Sequence, residues 1–311
     1  MTKVPTIYAV IVAYHPHDGH FNALLATLGK QCTKIIIVDN TESKDDPVSR
    51  VLAKSGFCEE LFYLLRLGEN RGLATALNMG VAYAVDNGAD FVLLSDQDSL
   101  PADDMVENLY RAYVELTNQG LLVGAVGPTF TDLHTGLTYP FQVKLPGHFF
   151  YGHKAAAADA PHIEALTLIT SGTLIPVSVL QEVGLMREDF FIDQVDIEWC
   201  HRARWKGFHL FGTGWAAMSQ RMGEAQLRVW YLRWRNESAY SPLRIYYRLR
   251  NFVALWKLDF IDWRWKVRSS WYCLGIVFTH VFFGRQRLET LRMVAKGIWH
   301  GLLSRMGSYP E

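Results

Sequence analysis

Cysteine is scarce in this chain. Its 311 residues carry four, Cys32, Cys58, Cys200 and Cys273, at spacings that fit neither a disulfide framework nor a metal knuckle. Thiols that merely pack, in a reducing compartment, are expected. The opening MTKVPTIYAV lacks the long apolar stretch behind a basic start that marks a signal peptide, so a cytosolic location is expected. No apolar run reaches the roughly 20 residues of a membrane-crossing helix. Internal repeats and low-complexity tracts are missing too, which leaves an ordinary globular chain. Neither a Walker A loop nor a dinucleotide fingerprint is present.

Net charge is also absent, since 31 Lys and Arg balance 31 Asp and Glu. The balance hides a split. From Gln226 onward 15 basic residues face 5 acidic ones, which leaves 16 basic and 26 acidic residues before it. All ten tryptophans lie at or after Trp199. Two regions are therefore expected, a domain over 1–225 and a basic, aromatic helical region over 226–311.

The first half alternates β-branched runs with helical stretches, the pattern of a mostly parallel sheet with crossover helices. IYAVIVAY (7–14), KIIIVDN (34–40), residues 61–67 and DFVLLSDQDS (90–99) read as strands. Helices are predicted near 21–30, 73–87 and 103–117, and a further strand in LLVGAVGPTF. Residues 131–165 read as loop. A strand, a small-residue turn and a helix follow over 163–184, then an acidic turn, a helix and a strand over 190–210. Polar residues collect where the strands end. That edge is where ligands bind in open α/β sheets, so Asp39, Asp96 and Asp98 are expected in one crevice.

Four constellations could carry chemistry. Asp96-Gln97-Asp98 places two carboxylates just past an apolar strand, suited to share Mg²⁺ or Mn²⁺, or simply to cap a turn. Asp39-Asn40 could hydrogen-bond a base or ribose, or start a turn. The glycine-punctuated segment 68–80, with Arg71 and Asn78, could turn helix-start amides toward a pyrophosphate, or be a tight turn before a packed helix. Asp193, Asp196 and Glu198, amid apolar neighbours, should raise at least one pKa and supply a general base. They also suit an acidic helix start paired with Arg202 and Arg204.

In series, VIVAYHP, IIIVDN, NRGLATALNMG, LLSDQDS, SGTLIP and VGLMREDFFIDQVDIEWCHRAR resemble the family 2 glycosyltransferases of GT-A fold. Within them the series is most similar to bacterial rhamnosyltransferases that use dTDP-L-rhamnose. The resemblance covers roughly residues 7–255. It implies a Rossmann-like α/β domain and direct displacement with inversion. It gives Asp39 to the nucleobase, Asp96 to the ribose or a metal-bound water, and Asp98 to the metal. Asp196 becomes the catalytic base, with Asp193 the contender, and Ser171 and Gly172 line the donor and acceptor pocket. Where relatives commonly carry a metal-ligating histidine this chain has Gln220, a weaker ligand for a transition metal though acceptable to Mg²⁺.

After Trp230 aromatic and basic residues mix. SPLRIYYRLRNFVALWKLDF reads as an amphipathic helix, while SSWYCLGIVFTHVFFG (269–284), flanked by Arg268 and Arg285, suits an interfacial placement. A peripheral site on the cytoplasmic face of a bacterial inner membrane is expected, with a saccharide or glycolipid acceptor. Helical packing, an oligomer contact and a nucleic-acid surface are the rivals, the last without any recognisable module. Three alternatives to rhamnosyl transfer remain: another donor such as galactofuranose or glucose, a non-catalytic nucleotide-sugar binder, and a phosphohydrolase. The last is opposed by Leu100, where DxDxT or DxDxV chemistry wants Thr or Val.

Overall fold

The structure, a computed structural model, describes residues 4–42, 47–55, 58–133, 135–220, 225–231 and 233–310. Apolar β-branched runs make the centre of the sheet. β1 (Ile7–Ala13) is buried throughout. It is followed by α1 (Asp18–Leu28), β2 (Lys34–Asp39), α2 (Pro47–Ser55), β3 (Phe62–Arg66), α3 (Leu73–Asp86) and β4 (Phe91–Asp96). These four strands pair in parallel in the order β3-β2-β1-β4. Alternate residues of β1 face opposite ways, as a period of two requires. Tyr8, Val10 and Val12 join one core with α3, while Ile7, Ala9, Ile11 and Ala13 join another with α1.

The sheet then stops being parallel. β5 (Leu100–Pro101), α4 (Met105–Asn118) and β6 (Val123–Asp132) are followed by the short strands β7 (Phe141–Val143), β8 (Gly152–Lys154) and β9 (His162–Ala165). β10 (Leu174–Pro176) inserts antiparallel between β4 and β6. Its entry turn needs Gly172, whose φ is +77° and where a Cβ would lie 2.5 Å from Pro128 Cγ. After α5 (Val177–Val183) and α6 (Val195–Trp205), β11 (His209–Gln220) pairs in parallel with β6 and antiparallel with β5 and β9.

Past Gln220, β12 (Ala225–Tyr231) and β13 (Arg233–Ala239) form a hairpin, followed by α7 (Pro242–Trp256), α8 (Trp263–Phe283) and α9 (Arg287–Leu302). This part of the chain does not stand apart from the sheet. Ile245, Leu249, Phe252 and Leu255 of α7, with Trp265 of α8, belong to the same core cluster as Val10 and Val92. The apolar run 269–284 continues α8 to its C-cap Gly284, and no described helix is long and apolar enough to cross a membrane. Cys32, Cys200 and Cys273 are buried, Cys58 is exposed, and all four cysteines are free.

Candidate active site

Register brings the acidic strand ends together. Ala13 of β1 pairs with Asp39, and Val12 pairs with Asp96, so the two carboxylates flank the same strand end. Gln97 ties this edge together: its Oε1 accepts from the Tyr14 amide at 2.7 Å, and its Nε2 donates to the Tyr14 carbonyl at 2.9 Å. Ser171, fully buried, accepts the Asp96 amide at 3.1 Å and shares a short hydrogen bond with Ser99. It therefore shapes the Asp96–Asp98 turn from behind and presents no surface to a ligand. Gly172 acts beside it, as the reversal into β10.

The Asp39-Asn40 pair closes a loop. Asp39 is buried and accepts from the Thr41 amide. Asn40 Oδ1 accepts the Arg71 amide at 2.8 Å, and its Nδ2 donates to Asn70 Oδ1. The 68–72 turn is thereby fastened to the end of β2, leaving the Arg71 side chain exposed beside Glu69.

The start of α3 departs from the pyrophosphate cradle that its glycines suggest. Its Leu73 and Ala74 amides already donate to the Phe191 carbonyl, at 2.6 and 3.4 Å. Gly72 permits the approach, since a Cβ there would lie 2.6 Å from the Phe191 ring. Asn78 is likewise turned inward. It bonds the Met186 backbone in both directions and donates to Glu188, fastening α3 to the chain before α6.

The three acids at the start of α6 part company. Glu198, at 1 % exposure, is forked by Arg202 at 3.0 and 2.9 Å. Asp193 is bridged by Arg244 at 3.2 Å and Arg248 at 3.0 Å. Burial pushes the Asp193 carboxyl up, but the two guanidiniums outweigh it and hold the group below the usual carboxylate range. No ion pair joins Asp196 to a cation among the described residues. Burial drives its pKa up to about 6, against the hydrogen bond it accepts from the Ile197 amide at 2.8 Å. Asp96 is pushed to about 7, first by burial and then by the charge of Asp98, with Asp196 adding to it. Asp96, Asp98 and Asp196 therefore share one electrostatic site.

Gln220 joins them. Its Nε2 donates to Asp96 Oδ2 at 3.0 Å, while its Oε1 is buried with no hydrogen-bond partner. No cluster of three His, Cys, Asp or Glu suited to a metal occurs among the described residues. What is present is two mutually repelling carboxylates and an unsatisfied amide oxygen. These are hard oxygen donors, and their repulsion would be relieved by Mg²⁺ or Mn²⁺. Asp196 also lines a cavity of about 310 Å³, with Phe130, Tyr139, Gln142, His153 and Tyr272 on its walls. Phe130 and Tyr139 stack at 5.0 Å. The loop-rich 131–165 segment is thus a wall of this cavity.

Sequence reading did not find the frame behind the site. Phe191, Asp193 and Gln194 have φ of 64°, 63° and 64°, a conformation costly for residues with side chains. α7 holds it. Asn251, fully buried, donates to the carbonyls of Phe190, Ile192 and Asp193 at 2.9, 2.8 and 2.8 Å. Arg250 donates to the Phe190 carbonyl at 2.9 Å and, from Nε, to Asn251 Oδ1 at 3.0 Å. The available signal was the polar pair Arg250 and Asn251 set between Leu249 and Phe252 in a helix rich in apolar residues.

Residues 20–184 match the family model "Glycosyl transferase family 2". The chain is 30% identical over 266 residues to a dTDP-rhamnosyl transferase, RfbF of Shigella flexneri, covering 85% of this chain and 84% of that protein. Among solved structures it is similar to GalNAc-T7 crystallised with UDP, GalNAc and Mn²⁺, at a TM-score of 0.62 and 11% identity. That match covers 97% of this chain, which spans 57% of the GalNAc-T7 chain, and it concerns the fold alone.

Proposed function

The chain belongs to glycosyl transferase family 2 and is a glycosyltransferase, and we propose that it moves L-rhamnose from dTDP-L-rhamnose onto a hydroxyl of its acceptor. The acceptor would be a surface polysaccharide, a lipopolysaccharide or a glycolipid. One observation carries the chemistry. Of the three acids at the start of α6, Asp196 is the one without an arginine among the described residues, and it faces both the cavity and Asp96.

In this reading Asp39 and Asn40 take the nucleobase side of the donor and Asp96 its ribose. Asp98, Asp96 and Gln220 Oε1 would hold Mg²⁺ or Mn²⁺, which when bound neutralises the diphosphate as a leaving group. Asp196 accepts the proton of the acceptor hydroxyl, whose oxygen bonds to the anomeric carbon. The carbon–oxygen bond to the diphosphate breaks and its electron pair leaves on the diphosphate. Attack opposite the leaving group converts a β-L donor into an α-L-rhamnoside. Asp193, neutralised by two arginines, positions the turn and carries no proton. The acceptor lies in the aromatic-walled cavity, where ring faces bind and a few polar groups orient.

Purified protein should be offered dTDP-rhamnose, UDP-galactofuranose, UDP-glucose and GDP-mannose, with and without Mg²⁺ or Mn²⁺, beside Asp98→Ala. Metal-dependent turnover of dTDP-rhamnose that is lost in the variant is the expected result. Preference for another donor would sink the rhamnose assignment, and turnover unaffected by chelation would sink the metal site.

A further inference from the structure

α8 and α9 are amphipathic the wrong way round. α9 buries Thr290, Gly297 and Gly301. The glycines are there for contact with α7: a Cβ at Gly297 would lie 2.7 Å from the Tyr246 carbonyl oxygen, and one at Gly301 2.8 Å from that of Arg250. Its large apolar side chains point away, with Leu288 75 % exposed and Leu291, Ile298, Trp299 and Leu302 also exposed. They recur at helical spacing as one outer stripe.

α8 does the same. Its C-terminal half buries Cys273, Thr279 and His280, and His280 is held inside by accepting the Tyr240 amide at 3.0 Å. Trp271, 71 % exposed, lies outside with Leu274, Phe278 and Phe282, again three or four residues apart. At the other end of α8 the surface continues through exposed Trp263, whose ring meets exposed Phe149 at 5.5 Å. A soluble surface scatters such residues singly; contiguous stripes mark a face that something apolar covers.

The charges say what covers it. From Trp263 to Arg305 the chain carries eight Lys or Arg and one acid, Glu289. Arg285 and Arg287 stand at the turn between the helices, and Arg292 and Lys296 stand on α9 beside its apolar stripe, all exposed. We propose that the α8–α9 pair is an interfacial anchor, which lies in the headgroup plane of an anionic bilayer with its aromatic stripes in the acyl boundary. Neither helix crosses the membrane. Cations at the rim and Trp and Phe below it are the arrangement an anionic interface selects. This inference does not depend on which sugar the enzyme transfers.

Full-length protein should float with vesicles of phosphatidylglycerol and phosphatidylethanolamine in low salt, and far less with phosphatidylcholine vesicles or at 0.5 M salt, where the Debye length falls to about 4 Å. The triple variant Trp271→Ser, Phe282→Ser, Trp299→Ser should keep the wild-type far-ultraviolet circular dichroism and melting behaviour, because all three side chains are exposed. Each aromatic removed should weaken partitioning on the order of tenfold. Protein that stays at the bottom of the gradient with both lipids would overturn the proposal. So would light scattering that shows a dimer which the triple variant splits, since the face would then belong to a second copy of the chain.

Discussion

Replacing Asp196 by asparagine should make the protein more stable and catalytically idle in the same step. The carboxyl is pushed from 3.8 to about 6, chiefly by burial. A raised folded-state pKa on an acid means that the ionised form is worse off folded than unfolded. Stability is therefore full below about pH 4, falls as pH rises through about 6, and stays reduced above it. About two pKa steps at roughly 1.4 kcal/mol each set an upper limit of about 3 kcal/mol. Because the side chain keeps some contact with water, about 1–3 kcal/mol is expected. For a chain of this length that is a rise in Tm of about 2–6 °C for Asp196→Asn at pH 8, and no rise at pH 4. The assay is a thermal melt of both proteins at the two pH values with a chelator present, beside a transfer assay. Loss of a general base should cost about 10²–10⁴ in kcat. An Asn variant that melts lower at pH 8, or gains equally at both pH values, would refute the claim that Asp196 is held as an uncompensated charge. The base assignment would fall with it.

In wild-type enzyme the same group sets an acid limb. Transfer should fall below about pH 6, where Asp196 takes up a proton and can no longer accept one, and a rate flat from pH 5 to 8 would count against it. Asp193→Asn acts in the opposite sense to Asp196→Asn: it leaves Arg244 and Arg248 facing each other without their carboxylate. It should destabilise by about 3–5 kcal/mol, read as a lowered denaturation midpoint at neutral pH. Asn251→Ala strips donors from three carbonyls of the positive-φ turn, at about 1–3 kcal/mol for each that stays dry. Its signature should be a drop in kcat larger than any change in donor KM, because the turn aims Asp196.

Why some of this was legible in the sequence and some was not follows from the range of the interactions. The parallel strands β1 to β4 are written in local pattern, since IYAVIVA and KIIIVD can hardly be anything but buried strands. Their acidic ends follow from α/β geometry. The Asp96 turn and the Asp196 helix start were likewise visible, as runs of acids beside apolar stretches. Whether an acid is free or neutralised was not visible, because that depends on partners far along the chain. Asp193 meets its arginines 51 and 55 residues later. The α3 start shows the same limit: glycines before a helix signal an open amide nest, and only tertiary structure fills that nest with the Phe191 carbonyl.

The positive-φ turn makes the division of the chain at residue 225 a compositional boundary and not a functional one. Three residues with side chains in the left-handed region would relax if left alone, at a gain of order 1–3 kcal/mol each. Within segment 190–194 the Ile192 amide donates to the Phe190 carbonyl at 2.7 Å, and the remaining carbonyls are met from outside the segment. Asn251 and Arg250 meet the carbonyls of Phe190, Ile192 and Asp193, Arg244 and Arg248 hold Asp193, and the Phe191 ring stacks on Tyr247 at 5.1 Å. All five of these residues lie in α7, in the basic and aromatic part of the chain. The same helix also receives the glycine face of α9 at the Tyr246 and Arg250 carbonyls. The turn before the proposed base and the proposed membrane anchor are therefore braced by one helix. The composition that sets the second part of the chain apart is what the first part needs to keep its acid in place.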